Sequence, residues 1–184
     1  MLYYLATGSL DGYVADADGD FQWAAPDEEL HQFINDLTRS TSTILVGRRT
    51  YDLMDYWETL ELDAPDVHPI EADFARLWRA ADKVVYTTTL TEVQHPRTRL
   101  EPVFDPDAAA ALKASATSDV SVGGSTLAGE AFKAGLVDEV WSFLVPTVVG
   151  GGLPMFAAGV QVSLELLEEK RFGNGTIGLH YRVL

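Results

Sequence analysis

The sequence predicts an α/β fold: a largely parallel sheet covered by helices on both faces and ended by an antiparallel C-terminal hairpin, in one domain over 1–184. Three observations carry this. Short β-branched or apolar runs alternate with segments of helical period through most of the chain, and strands dominate its end. Two of the runs, ending at Gly47 and at Gly123-Gly124, turn directly into helix starts. Two late runs flank Asn174-Gly175, a dipeptide that favours a tight hairpin turn.

The elements follow in order. Leu2 to Thr7 reads as a short buried strand, and Gly8 to Trp23 as a loop rich in Gly and Asp. Pro26-Asp27-Glu28-Glu29 opens a helix running to about Arg39. Proline and acids suit a first turn, where orphan amides and the positive dipole end lie. Leu30, Phe33, Ile34 and Leu37 give that helix one apolar face. Thr43 to Val46 is a strand, Thr50 to Trp57 a short helix, and Glu58 to Pro69 a loop holding two prolines. Ile70 to Ala80 is helical, with Phe74, Leu77 and Trp78 on a face. Lys83 to Tyr86 and Arg99 to Val103 are strands, and Asp107 to Ala114 is an alanine-rich helix. Val120 to Val122 is a strand, Thr126 to Ala134 a helix and Val137 to Val145 a long strand. Gln161 to Phe172 and Thr176 to Val183 form the hairpin.

Composition narrows the function. The chain's 184 residues carry 28 acids against 13 lysines and arginines, a formal charge of −15. Such a surface opposes nucleic acid and anionic membranes at long range, but not a phosphate held in a local basic pocket. With no cysteine, thiolate catalysis and zinc–thiolate sites are excluded. No basic leader with an apolar core opens the chain, and no run approaches the ~20 apolar residues of a membrane span. A cytoplasmic protein is expected.

Several motifs are decoys. Gly173-x-Gly175-x-x-Gly178 matches a dinucleotide fingerprint in letters, yet it leads into a strand rather than a helix. Gly124-x-x-x-x-Gly129-Glu130 puts an acid where a phosphate-binding loop needs lysine. Asp16-Ala17-Asp18-Gly19-Asp20 hints at a calcium loop but has Phe21 where the turn needs glycine. His31, His68, His95 and His180 lack metal-ligand spacing. No metal is expected.

Other motifs suggest a nucleotide. A strand that ends at glycine and feeds a helix presents free amides and a positive dipole end to an anion. Arg48-Arg49 just after Gly47 are cations where acids are preferred, which reads as a phosphate site rather than a solvated pair. Gly123-Gly124-Ser125-Thr126 reads either as a capped turn or as a place where a ligand approaches the backbone closely. Gly150-Gly151-Gly152 fits a mobile loop or another close approach equally well. Asp27, Glu28 and Glu29 suit a helix start for dipole reasons alone; a functional role requires one to face a ligand.

Together these residues resemble the dihydrofolate reductase-like superfamily, especially the riboflavin biosynthesis reductase branch (RibD C-terminal domain). The resemblance covers the whole chain. Leu5-Ala6-Thr7 and Leu10-Asp11-Gly12-Tyr13-Val14-Ala15 look like its first strand and active-site loop. Gly47-Arg48-Arg49-Thr50 is similar to its Gly-Arg-x-Thr cofactor motif. Tyr86-Thr87-Thr88, Val122-Gly123-Gly124-Ser125, Val137-Asp138-Glu139-Val140 and Gly150 to Phe156 follow in family order.

The resemblance implies a three-layer dihydrofolate reductase-like fold, NADPH, and hydride transfer to a pyrimidinone or pteridine-like ring. Arg48, with Thr87 and Thr88, would approach the adenosine 2′-phosphate. Arg49 and Thr50 would approach the pyrophosphate, Gly123, Gly124 and Ser125 would lie along it, Gly47 and Thr126 would belong to the same cofactor site, and Ala6 and Thr7 would meet the nicotinamide carboxamide by backbone groups. Glu29 would bind or protonate the substrate within Glu29-Leu30-x-x-Phe33, with Asp27 or Glu28 as neighbours able to take that role. No arginine matches the folate-tail ligand, and no basic ribose-phosphate pocket can be assigned. The expected activity is that of a 5-amino-6-(5-phosphoribosylamino)uracil reductase-like enzyme. Dihydrofolate reductase activity and a non-catalytic NADPH-binding module are the alternatives. A homodimer built through the C-terminal strands is expected, against packing of that apolar face on its own chain.

Overall fold

The computed structural model describes residues 1–184. In chain order the elements are β1 (Leu2–Ser9), β2 (Tyr13–Ala15), α1 (Glu28–Thr38), β3 (Thr41–Gly47), α2 (Arg48–Leu53) and α3 (Asp55–Thr59). There follow α4 (Pro69–Ala80), β4 (Asp82–Tyr86), β5 (Thr98–Glu101), α5 (Pro106–Ser115), β6 (Asp119–Gly123) and α6 (Ser125–Lys133). The chain ends with β7 (Glu139–Val145), β8 (Leu153–Pro154), β9 (Leu164–Arg171) and β10 (Ile177–Val183). Eight strands make one sheet in the order β5-β4-β3-β6-β1-β7-β10-β9. The strands β1 and β3 to β7 run parallel to their neighbours within that group, whereas β10 is antiparallel to both β7 and β9.

Strand alternation divides the core. Tyr4, Leu45, Val84, Val120 and Val140 pack against α5 and α6 through Ala109, Ala128, Ala131 and Phe132. On the other face, Val46, Val85, Trp141 and Phe143 meet Leu30 and Ile34 of α1, Tyr51 of α2 and Trp78 of α4. The result is the expected three-layer arrangement. No helix is long and apolar enough to cross a membrane.

Local chemistry sets the helix starts. Asp27 caps α1 by accepting from the Leu30 amide at 3.0 Å, and Asp105 caps α5 through the amides of Asp107 and Ala108. Pro69 and Pro106 occupy first-turn positions, where a missing N–H costs nothing.

The structure departs from the expected elements in three places. The loop over 8–23 contains β2, which pairs with β8; three residues are too short to show a strand period. The single helix expected over 50–57 is two helices joined at Met54, and the first already begins at Arg48. The strand expected from Gln161 begins at Leu164, because Val160 and Val162 pack irregularly against the core of their own chain.

The decoys resolve into ordinary backbone. Gly173 and Gly175 belong to the β9–β10 turn, where Gly175 has φ 88°, and Gly178 lies in β10. Asp16 accepts from the amides of Asp18 and Asp20, each at 2.9 Å, and so shapes its own loop. The triple glycine is a close approach to the chain's own backbone: a Cβ on Gly152 would stand 2.1 Å from the Ala15 carbonyl oxygen.

Candidate active site

Four parallel strands deliver the predicted residues to one edge. Register sets Gly47 beside Tyr86 and Val46 beside Gly123, so the ends of β4, β3 and β6 lie side by side. Pairing between β1 and β6 stops at Tyr4↔Val122, while pairing between β1 and β7 continues to Ser9↔Val145. Past Tyr4, therefore, the edge of β1 that faces β6 carries no ladder. The connections also diverge here: β1 leads through α1 to β3, and β6 leads through α6 to β7. Ligands of open α/β sheets bind at such a switch point, outside the C-terminal strand ends.

Of the two expected residues here, half-buried Thr7 turns its backbone groups to that open edge, whereas buried Ala6 turns its own toward β7. Gly124 turns β6 into α6 with φ 87°, and a Cβ there would lie 2.7 Å from the Thr50 hydroxyl oxygen. Thr50 of α2 and the Gly123-Gly124 turn thus touch. Ser125, only 3% exposed, opens α6 with a hydroxyl that has no partner, and Thr126 beside it is exposed. An unpaired buried hydroxyl and uncapped amides at one helix start fit a phosphate acceptor.

The two arginines differ. Arg48 Nε lies 3.2 Å from Asp52, and its Nη1 donates to the Thr89 hydroxyl at 2.6 Å. Arg49 is exposed and has no ion pair. Arg48, Tyr86, Thr87, Thr88, Thr89 and Pro102 line one shallow hollow. Thr88 is exposed there, whereas the Thr87 hydroxyl accepts from the amides of Thr89 and Leu90 and shapes the turn. Thr89, the partner of Arg48, is not among the expected site residues; its signal in the sequence is the run Thr87-Thr88-Thr89. Burial raises the pKa of Tyr86, keeping its phenol neutral.

The first-turn acids are tied elsewhere. Asp27 caps α1, Glu28 lies 3.4 Å from His68, and Glu29 accepts from the Gly173 amide at 2.8 Å. None of the three lines the cavity that adjoins the seat. That cavity, about 160 Å³, lies under α1 and α4, and Leu5, Thr50, Val122 and Gly123 form its end toward the strand tips. It has no sequence signal, because it is assembled from ordinary core residues.

The model of the RibD C-terminal domain family matches residues 2–177. The chain belongs to the RibD C-terminal domain family. The uncharacterized protein YyaP of Bacillus subtilis is 26% identical over 179 residues, covering 94% of this chain and 89% of YyaP. Among solved structures, a Shewanella sp. PV-4 protein ascribed to riboflavin biosynthesis superposes with TM-score 0.76 at 21% identity, covering 100% of this chain and 98% of that one. The Thermotoga maritima diaminohydroxyphosphoribosylaminopyrimidine deaminase/5-amino-6-(5-phosphoribosylamino)uracil reductase gives 0.69 at 18%, covering all of this chain and 56% of its own. Enterococcus faecalis dihydrofolate reductase, complexed with NADP(H), gives 0.64 at 13%, covering 100% and 96%. This RibD C-terminal domain therefore has a dihydrofolate reductase-like fold.

Proposed function

We propose that the protein is an NADPH-dependent reductase of the riboflavin-reductase type, acting on a small heterocyclic ring. The observation that carries this reading is the convergence of Gly47-Arg48-Arg49, Thr87-Thr88-Thr89 and Gly123-Gly124-Ser125 on neighbouring strand ends, beside the open edge of β1. The bound cofactor supplies the hydride; the protein supplies binding, orientation and charge complementarity.

Within this reading, Arg48, Thr88 and Thr89 hold the 2′-phosphate. Arg49, Thr50, Ser125, Thr126 and the Gly123-Gly124 amides hold the pyrophosphate, and Thr7, whose backbone groups face the open edge of β1, orients the nicotinamide beside Ala6. Glu29, held by the Gly173 amide and outside the lining of the cavity under α1 and α4, is the acid assigned to the part of the substrate that lies beyond that cavity, with Asp27 as the neighbour tested beside it. The exposed edge strand β9 supports the two-fold homodimer as part of the same reading.

Calorimetric titration tests the cofactor assignment. A charge-assisted hydrogen bond contributes roughly 1.5–3 kcal/mol, so NADPH binds about tenfold or more tighter than NADH. Arg48→Ala removes most of that preference. Equal affinity of the unaltered protein for the two cofactors overturns the assignment.

A further inference from the structure

The cavity beside the seat narrows the substrate. No lysine, arginine, histidine, aspartate or glutamate lines it; most of its wall is aliphatic or aromatic. Its only lining polar side chains are hydroxyls and the Trp78 indole. Tyr3 and Thr41 hydroxyls bond to each other, and the Thr38 hydroxyl donates to the Ile34 carbonyl. Trp78 is buried, and its indole N–H has no acceptor.

Size is the second constraint. At about 160 Å³ the space matches one six-membered ring, since an apolar protein cavity of roughly 150 Å³ accommodates benzene. Its far side is covered by Phe74, Leu77 and Trp78 of α4. That helix is held down on two sides. Asn35 of α1 donates to the Ile70 carbonyl at 2.9 Å, and Arg79 donates to the carbonyls of Trp57 and Leu60 at 2.8 and 2.6 Å. A long substituent therefore has no exit under α4. A buried phosphate would lack any cation to offset its desolvation.

We infer that this cavity seats the acceptor ring of the substrate, and that the ring is single and uncharged, with no phosphate chain and no second fused ring. The inference rests on the reductase reading of the same cleft and departs from a phosphoribosyl or folate substrate.

Binding tests it without turnover. The unaltered protein is titrated calorimetrically with pyrimidin-2-one and 4-methylphenol as single rings, and with uridine 5′-monophosphate and folic acid as charged or larger competitors. Both single rings bind at least about tenfold tighter than either competitor, as a desolvated unpaired charge requires. Ser121→Leu, which fills the space, removes ring binding while NADPH still binds. Leu77→Ala, which enlarges it, gains binding of the two-ring quinazolin-4-one. Uridine 5′-monophosphate or folic acid binding as tightly as the single rings overturns the inference. So does ring binding that survives Ser121→Leu, or a protein that binds neither ring and gains thermal stability from Ser121→Leu, which marks a packing void. If NADPH fails to bind, the cofactor reading falls, while ring binding blocked by Ser121→Leu still supports the cavity.

Discussion

Arg48 and Arg49 are adjacent in sequence but divide one task. Arg48 is already engaged by Asp52 and Thr89 at the outer hollow, whereas Arg49 is a cation without a partner. In the proposed reading, Arg49→Ala weakens NADPH and NADH equally, because the pyrophosphate is common to both. Arg48→Ala weakens NADPH alone. Competition titrations read the contrast, and a loss of selectivity in Arg49→Ala would exchange the two roles. The acids divide similarly. Glutamine keeps an acceptor oxygen for the Gly173 amide, so Glu29→Gln leaves the fold and NADPH affinity unchanged and lowers turnover. Asp27→Ala instead loses the α1 cap and about 1 kcal/mol of stability by urea unfolding. Full turnover in Glu29→Gln, with Asp27→Asn impaired, moves the catalytic role to Asp27.

At the scale of elements, the two glycine-ended strands, the start of α1 and the hairpin are legible because each depends on neighbouring residues. Asn174-Gly175 turns locally, whereas Asp27, expected within the first turn, is the N-cap just outside it, and Pro69, expected to end a loop, opens α4. The cavity, the pairing of β2 with β8 and the ties around α4 were not legible, since each joins residues far apart in sequence. The pair of Lys83 on β4 and Glu58 on α3 is one such tie. Its charged atoms lie 2.9 Å apart, both side chains buried. Lys83→Met strands the Glu58 carboxylate and costs about 3–5 kcal/mol, whereas Lys83→Met with Glu58→Leu recovers most of it. Urea midpoints check this, and a double variant as unstable as the single one would contradict it. A second tie joins the loop after β1 to the triple glycine: Asp11 accepts from the amides of Val149 and Gly150 at 3.2 and 2.8 Å. The Ser9 hydroxyl foremost, and then these amides, hold the Asp11 carboxyl below its ordinary pKa. A depressed folded value means the tie is fully present above the ordinary aspartate range. It is lost only as pH falls through that lower value. Amide exchange at Gly150 therefore stays slow at neutral pH and becomes fast in Asp11→Ala; equal protection in both would remove the tie.

For the whole molecule, the sheet has two edges, and β9 is the one made by the C-terminal hairpin. An unpaired strand edge invites association unless charge or cover prevents it. Here Val160, Val162 and Leu164 pack on the core of their own chain, as the alternative of packing within one chain expects, and only the residues farther along are left for a partner. Leu166 is 49% exposed and Leu167 is exposed beside it, at the bulge where β9 slips against β10. Acids crowd the strand at Glu165, Glu168 and Glu169, while Lys170 and Arg171 end it. An antiparallel two-fold pairing centred on Glu168 sets Glu165 of one copy opposite Arg171 of the other, which offsets the repulsion at the centre. Light scattering at micromolar concentration then gives twice the chain's 20.1 kDa. Leu167→Glu sets an acid opposite Glu169 of the other copy and returns the mass to that of one chain, with NADPH affinity unchanged because the strand tips of β3 and β6 lie elsewhere. A single-chain mass for the unaltered protein rejects the dimer. A dimer that persists in Leu167→Glu keeps the assembly and moves its interface away from β9.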